Sequence, residues 1–234
     1  SKVGRPVRWV ADRAEGHLSD YHDRDQAADA WLGLDADGKF AALKVLSTCA
    51  VGAYLDPGGM ISPANHVGGL AGTYLTPYIY TEASAVFTNT APIGPYRGAG
   101  RPEATYILES VIDKAARELN LDRAEIRRIN CVPPEAMPVK TGLLYTLDSG
   151  DFPRNLDQAL EMGDYAGFEA RRAEAKERGR LRGIGVANFI EQTAQMDGET
   201  VRVQFDPSGT ATVIAGSISH GQGHRTIQTQ IIVD

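Results

Sequence analysis

The chain has 234 residues, 42% of them hydrophobic and 23% charged, and a formal net charge of −6. This length allows one large domain or two modest ones with a buried core. The acidic balance argues against a nucleic-acid partner, which would need a clustered basic surface. No apolar run approaches the length of about 18 residues that a membrane span requires. Cys49 and Cys131 are too few for a disulfide framework or for an iron–sulfur cluster held by this chain alone. We therefore expect a reducing, cytoplasmic location, with the periplasm left open.

The first hundred residues read mainly as strands. The stretch "RPVRWVADR" alternates in polarity and predicts a strand with Val7 and Trp9 on one face. Two further strands are predicted on either side of residues 35–38, where Gly38 can take the positive φ that a short hairpin loop needs. Residues 56–80 are rich in glycine and proline and predict an irregular region. The stretch "EASAVFTNTAP" predicts another strand.

The pattern changes to helices after Pro102. Apolar residues recur every three to four positions as far as Leu119, which indicates one face of an amphipathic helix. Asp122 and Glu125 resemble a capping box that opens a second helix, and a charged surface helix is predicted at residues 165–178.

The last fifty residues return to strands. The stretch "GIGVANFIEQ" predicts a strand, a hairpin is expected around residues 206–209, and a glycine loop then leads into a final helix. The fold class that fits is α+β, with mixed β-sheets and packed helices.

Two glycine loops stand out as candidate sites. Residues 94–101 and residues 219–224 both lead into a helix N-terminus, which exposes backbone N–H groups and the positive end of the dipole. Arg97 and Arg101 add planar charged donors, and Gln222 between two glycines can approach a flat ligand. Neither loop matches a nucleotide-binding fingerprint. Both could equally be ordinary turns with surface arginines.

A zinc site is an alternative for the second loop. His220 and His224 are four residues apart, which is a spacing seen in zinc hydrolases. Glycines occupy two of the three intervening positions and no carboxylate lies between the histidines, so a helical metal pair is disfavoured.

Three motifs together carry a family likeness. They are "GRPVRWVADRAEGH", "GPYRGAGRPEATYILESVIDKAARELNLDRAEIRRIN" and "GETVRVQF" followed by "SHGQGH". In this order they resemble the molybdenum-binding large subunit of the xanthine dehydrogenase and aldehyde oxidase family, in the bacterial branch named after the carbon monoxide dehydrogenase large chain. The resemblance covers nearly the whole chain. It implies a two-lobe molybdopterin-binding architecture, with part of the first lobe at residues 1–165, a helical linker at 166–180 and a truncated start of the second lobe at 181–234.

The resemblance also implies a function. It implies a molybdopterin, as the cytosine dinucleotide, whose dithiolene rather than the protein holds the molybdenum. The reaction would be oxidation of an aldehyde or an N-heteroaromatic small molecule with water as the oxygen source. Electrons would leave through [2Fe-2S] clusters on a small partner subunit and FAD on a medium partner subunit.

The implied cofactor-binding residues fall in the two glycine loops. The first loop would lie beside the molybdenum, with Arg97 matching the family arginine near the metal, and the second would contact the pterin. The residues are Tyr96, Arg97, Gly98, Ala99, Gly100 and Arg101 in the first loop, and Gly221, Gln222, Gly223 and His224 in the second.

Two departures from the family pattern limit these expectations. Carbon monoxide dehydrogenases carry copper on a cysteine after the Tyr-Arg pair, where this chain has Gly98, so carbon monoxide oxidation by that route is not expected. Family large subunits are also far longer, and their catalytic glutamate would lie beyond Asp234, because Glu103 and Glu191 belong to other motifs. We therefore expect an internal fragment that is inactive alone. A non-catalytic scaffold or anion-binding remnant of the same fold is the alternative.

Overall fold

The computed structural model describes residues 2–191, 198–219 and 221–233. The chain divides into two compact units, Ser1–Glu191 and Gln192–Asp234. The predicted lobes, with a linker at residues 166–180, do not share this boundary and stay a prediction about the family architecture.

The first unit mixes helices with short sheets, which confirms the predicted α+β class. Its helices are α1 (Arg13–Ser19), α2 (Ile61–Gly69), α3 (Arg101–Glu118), α4 (Arg123–Arg128), α5 (Phe152–Met162) and α6 (Phe168–Glu177). Its strands are β1 (Gln26–Leu34), β2 (Phe40–Ala50), β3 (Tyr78–Val86), β4 (Val139–Lys140) and β5 (Thr146–Leu147).

The main sheet of this unit has the order β1-β2-β3. β1 and β2 are antiparallel and β2 and β3 are parallel. The turn at residues 35–38 is as predicted: Gly38 has a φ of 77° and its N–H donates to the Asp35 carbonyl at 3.2 Å. A side chain would be strained in this backbone conformation, which explains the glycine.

The core lies between one face of this sheet and α3. The predicted amphipathic face of α3 is confirmed from Ala104 to Ala115, where its apolar residues are buried or partly buried, whereas Leu119 lies after the helix and is exposed. The core cluster consists of Phe40, Leu43, Val45, Leu70, Tyr74, Ala104, Ile107, Leu108, Ile112, Ala115, Ala116, Ile126 and Cys131.

A buried charge network fixes α3 to α4 and to the segment after α2. The Arg127 side chain is 0% exposed, and its Nε donates to Glu109 Oε2 at 2.6 Å while its Nη2 donates to Asp113 Oδ1 at 2.8 Å. The Tyr74 hydroxyl donates to the other Glu109 oxygen at 2.6 Å. Burial raises the pKa of Glu109, although the Arg127 guanidinium pulls the pKa down. The network therefore satisfies charges that would be costly to bury alone.

Two predicted strands are wrong. Residues 6–12 are irregular and lead into α1, with Val7 and Trp9 exposed. The local cap decides this, because Asp12 Oδ1 accepts from the Glu15 N–H at 2.8 Å and Glu15 Oε2 accepts from the Asp12 N–H at 3.0 Å. Residues 183–191 are also irregular, and the Ile184 carbonyl accepts from the Arg123 side chain instead of from a neighbouring strand. Gln192, the end of that predicted strand, lies outside the described residues.

Two helices were not predicted. α2 lies within residues 56–80, which the sequence pattern predicts to be irregular. No helix is predicted where α5 lies. The predicted helix that Asp122 opens and the predicted helix at 165–178 are confirmed as α4 and α6. Asp122 caps α4 by accepting from Ala124 and Glu125 rather than through a complete capping box.

The second unit contains the predicted hairpin and helix. β6 (Arg202–Phe205) and β7 (Ala211–Ile214) are antiparallel, and α7 spans His224–Val233. Gly209, with a φ of 89°, closes the turn between the strands. None of the described residues of this unit is buried.

Gly100 provides a test of the packing between α3 and α2. Its φ is 97°, and an added Cβ would overlap the Ser62 carbonyl oxygen and lie 2.6 Å from the His66 nitrogen. Gly179 is a matched control, because its φ is 68° and an added Cβ would meet nothing within 4 Å. We expect Gly179→Ala to lower the free energy of unfolding by about 1 kcal/mol. Gly100→Ala should lower it by about 1–3 kcal/mol more, through overpacking. Equal losses in urea denaturation would contradict the close approach.

Candidate functional site

The loop at residues 96–101 has an unusual backbone. Gly98, Ala99 and Gly100 all have positive φ, at 94°, 41° and 97°. The Ala99 N–H donates to the Tyr96 carbonyl at 2.6 Å, and the Arg101 N–H donates to the Gly98 carbonyl at 3.1 Å. Gly98 and Gly100 adopt these angles without steric strain, but a positive φ is unfavourable for Ala99, so the surrounding contacts must hold that residue.

Both glycines of this loop lack room for a side chain. Gly100 is the N-cap of α3 and packs on the backbone of α2. A Cβ on Gly98 would lie 2.6 Å from the Cγ of Pro102. The glycines therefore serve the loop shape whether or not a ligand is present.

The loop side chains divide into exposed and buried ones. Tyr96 is 65% exposed, and the Arg97 side chain is also on the surface. Arg101 is different, because its side chain is 6% exposed and pairs with Glu191 at 2.9 Å. Its Nη1 also donates to the Gly98 carbonyl at 3.2 Å. The structure thus gives Arg101 a role inside the loop, while its predicted cofactor contact stays a prediction.

Asp23 and Arg24, which the sequence pattern did not indicate as site residues, form hydrogen bonds with the backbone of this loop. Asp23 Oδ2 accepts from the Tyr96 N–H at 3.0 Å, and Arg24 Nη2 donates to the Arg97 carbonyl at 2.5 Å. They are 73 residues away along the chain. No local pattern in the sequence signals this contact.

Glu103 places a buried carboxylate at the start of α3. Its side chain is 5% exposed, and its Oε2 lies 3.6 Å from Arg24 Nε. Burial raises the pKa of Glu103, although nearby backbone N–H groups and the Arg24 charge act to lower it. The Cys49 thiol also has a raised pKa, through burial first and the Glu103 charge second. Cys49 is therefore an inert buried thiol, as its position in β2 suggests.

A neutral histidine anchors the helix on which Gly100 packs. His66 is 0% exposed, its Nδ1 lies 3.1 Å from the Pro63 carbonyl, and its Nε2 lies 3.0 Å from Ser47 Oγ. Because a carbonyl only accepts, Nδ1 carries a proton, and in the neutral ring Nε2 then accepts from the Ser47 hydroxyl. Burial lowers the pKa of His66, which keeps the ring neutral at pH 7.

The second loop belongs to the second unit. Gly221 and Gly223 have positive φ, at 96° and 78°, and α7 begins at His224. An added Cβ on Gly223 would meet nothing within 4 Å, so the backbone is open to an approaching group. The Gln222 side chain donates to the Ile218 carbonyl at 3.2 Å.

The zinc alternative gains no support. His220 lies outside the described residues. Within the described ranges, no three histidine, cysteine or acidic side chains are grouped so that they could hold a metal ion. The same part of the chain also contains no helix that is long and apolar enough to cross a membrane.

Comparison with known families identifies the class of domain. Residues 1–131 match the molybdopterin cofactor-binding domain family, and residues 158–234 match a second family of the same description. The chain therefore belongs to the molybdopterin cofactor-binding family, which confirms the resemblance drawn from its motifs.

The chain is similar to large subunits of known enzymes and to a solved oxidoreductase. The chain is 32% identical to the carbon monoxide dehydrogenase large chain of Hydrogenophaga pseudoflava and 30% identical to the nicotine 6-hydroxylase large subunit of Paenarthrobacter nicotinovorans, over 98% of its length in each case. Among solved structures, quinoline 2-oxidoreductase from Pseudomonas putida 86 superposes on the whole chain with a TM-score of 0.87 and 37% identity. The chain spans 31%, 30% and 31% of these three proteins, respectively.

Proposed function

We propose that this chain forms part of the molybdenum-cofactor site of a hydroxylase. The observation that carries the proposal is the match of both molybdopterin-binding families, in order, to a chain with two glycine loops at helix N-termini. The enzyme would oxidise an electron-poor carbon with water as the oxygen source. The cofactor, when bound, supplies the oxygen-transfer and redox chemistry that none of the side chains can perform.

The residues of both loops fit such a cofactor. In the first loop, the exposed Arg97 guanidinium is a planar donor suited to an oxo or phosphate oxygen. Next to it, the start of α3 adds the positive end of a helix dipole. In the second loop, Gly223 leaves the backbone open, and the Gln222 amide can both donate and accept, as a pterin ring requires.

The substrate class we propose is an aldehyde or an N-heteroaromatic ring. Similarity to quinoline 2-oxidoreductase and nicotine 6-hydroxylase favours the ring. Gly98 argues against carbon monoxide, because a soft thiolate is needed to select Cu(I) and a side chain at this position would clash with Pro102.

The remaining parts of the reaction would come from outside this chain. We propose the cytosine dinucleotide form of the cofactor, a glutamate base elsewhere in the enzyme, and electron transfer to [2Fe-2S] and FAD subunits. Relatives named as the large chain or the large subunit of an enzyme support an assembly of several subunits. The assembly would be cytoplasmic.

A non-catalytic scaffold of the same fold is the second candidate, because Arg101 and Glu103 serve the loop structure without any ligand. Metal analysis of the assembled protein from its native host separates the two. Stoichiometric molybdenum supports the hydroxylase, whereas a protein that contains no metal supports the scaffold and zinc would favour a hydrolase.

Arg97 tests the role of the first loop. Arg97→Ala in the assembled enzyme should lower kcat by about 100-fold or more, because one preorganised donor at the reaction centre is lost. The unfolding transition should not change, since the side chain is exposed and Arg24 binds only the Arg97 carbonyl. Arg117→Ala, which removes an exposed arginine of α3, is the control. Wild-type turnover in Arg97→Ala would exclude the assigned role.

Gln222 tests the second loop through cofactor content. Gln222→Ala should lower the molybdenum bound per protein, because the amide that would contact the pterin is removed. Gln230→Ala, an exposed glutamine of α7, should leave the metal content unchanged. If both variants hold as much molybdenum as the wild type, Gln222 does not contact the cofactor.

Gly98 tests the substrate class. We expect the assembled enzyme, supplied with Cu(I) and carbon monoxide, to reduce no dye, while an aldehyde or an N-heteroaromatic compound supports dye reduction. Copper-dependent oxidation of carbon monoxide would show that the interpretation of this position is mistaken.

A further inference from the structure

We propose that Arg24 is a positioning residue that holds the loop at residues 96–98 in its working shape. This inference rests on the proposed function of that loop. Arg24 makes two contacts with the loop: its Nη2 donates to the Arg97 carbonyl at 2.5 Å, and its guanidinium lies 5.0 Å from the centroid of the Tyr96 ring. Arg24 therefore contacts the carbonyl on the C-terminal side of Arg97 and the ring of Tyr96 on its N-terminal side.

The Arg24 guanidinium also lies close to the buried carboxylate of Glu103. Its Nε lies 3.6 Å from Glu103 Oε2, and the Glu103 side chain is 5% exposed. Glu103 itself lies in the first turn of α3. Arg24 thus links the exposed part of the loop to the rigid helix that follows it. The adjacent Asp23 accepts from the Tyr96 N–H at 3.0 Å, so consecutive residues bind consecutive residues of the loop.

The backbone of Arg24 supports a purpose beyond packing. Its φ is 66°, a conformation that is unfavourable for an arginine. Such a conformation persists only where the surroundings enforce it, and such residues cluster at functional sites. The wide, planar guanidinium also suits this position, because it donates to the Arg97 carbonyl through Nη2 while its Nε lies 3.6 Å from Glu103 Oε2.

The strained backbone permits a clean variant. Arg24→Gly removes the guanidinium and at the same time relieves the positive φ, so loss of folding is not expected. Arg24→Lys keeps the charge without the fork. Arg117→Ala again serves as the control, because it removes an exposed arginine far along α3.

Limited trypsin digestion of the assembled enzyme tests the contact directly. Trypsin cleaves after arginine, and the Arg97–Gly98 bond contains the carbonyl that Arg24 binds. Cleavage there, followed by mass spectrometry, should be about 10-fold faster in Arg24→Gly, because a hydrogen bond from a charged donor is lost. Arg24→Lys should fall between Arg24→Gly and the wild type, and Arg117→Ala should match the wild type.

Turnover tests the consequence of that contact. Arg24→Gly should lower kcat by about 100-fold, the effect expected when reacting groups are misplaced by about 1 Å. KM and molybdenum content should stay near wild-type values, and Arg24→Lys should recover part of kcat. Wild-type protection and wild-type kcat in Arg24→Gly would overturn the inference. So would loss of molybdenum with normal protection of the Arg97–Gly98 bond, since Arg24 would then hold the cofactor and not the loop. An enzyme without molybdenum would contradict the proposed function instead, and the trypsin result would still decide the role of Arg24.

Discussion

The buried pair of Glu109 and Arg127 determines where α3 lies. Glu109 lies in α3, and its two partners belong to other parts of the chain. Tyr74 follows α2, and Arg127 lies in α4. Removing one member of such a pair typically costs about 3–5 kcal/mol, because the other charge stays buried without compensation. α3 begins at Gly100, so a helix fixed at its middle also fixes the N-terminus that follows the candidate loop.

Contacts of three residues, Gly100, Arg101 and Arg24, hold the loop in place. Gly100 rests on the backbone of α2, where the neutral His66 anchors the helix. Arg101 ties the loop to Glu191, and Arg24 ties it to the segment before β1. Only Tyr96 and Arg97 are left exposed by these contacts. A site of this kind presents few side chains from a rigid support, which is what precise placement of a donor requires.

The elements that were predicted correctly are those whose structure is determined by residues close together in the sequence. The hairpin at residues 35–38 and the late hairpin depend on turn glycines, and the helix after Pro102 depends on the regular spacing of apolar residues. All three elements are confirmed. α5 also had a local signal, because Asp151 accepts from the Arg154 N–H and a proline opens the helix. The strands predicted at 5–13 and 183–192 were wrong because alternation alone cannot supply a partner strand. The Arg24 contact spans 73 residues and could not be predicted from a pattern.

The two candidate loops differ in what gives them their shape. Hydrogen bonds with Asp23 and Arg24 and the ion pair of Arg101 with Glu191 hold the loop of Arg97. The loop of Gln222 lies in a unit with no buried residue among those described, where Phe205 is 78% exposed and Ile231 is 71% exposed. A hairpin and a single helix are marginally stable in water without apolar burial. Apolar burial among the described residues of this unit therefore contributes little to the shape of the second loop. The first loop differs, because the charges that hold it are already paired within its own unit.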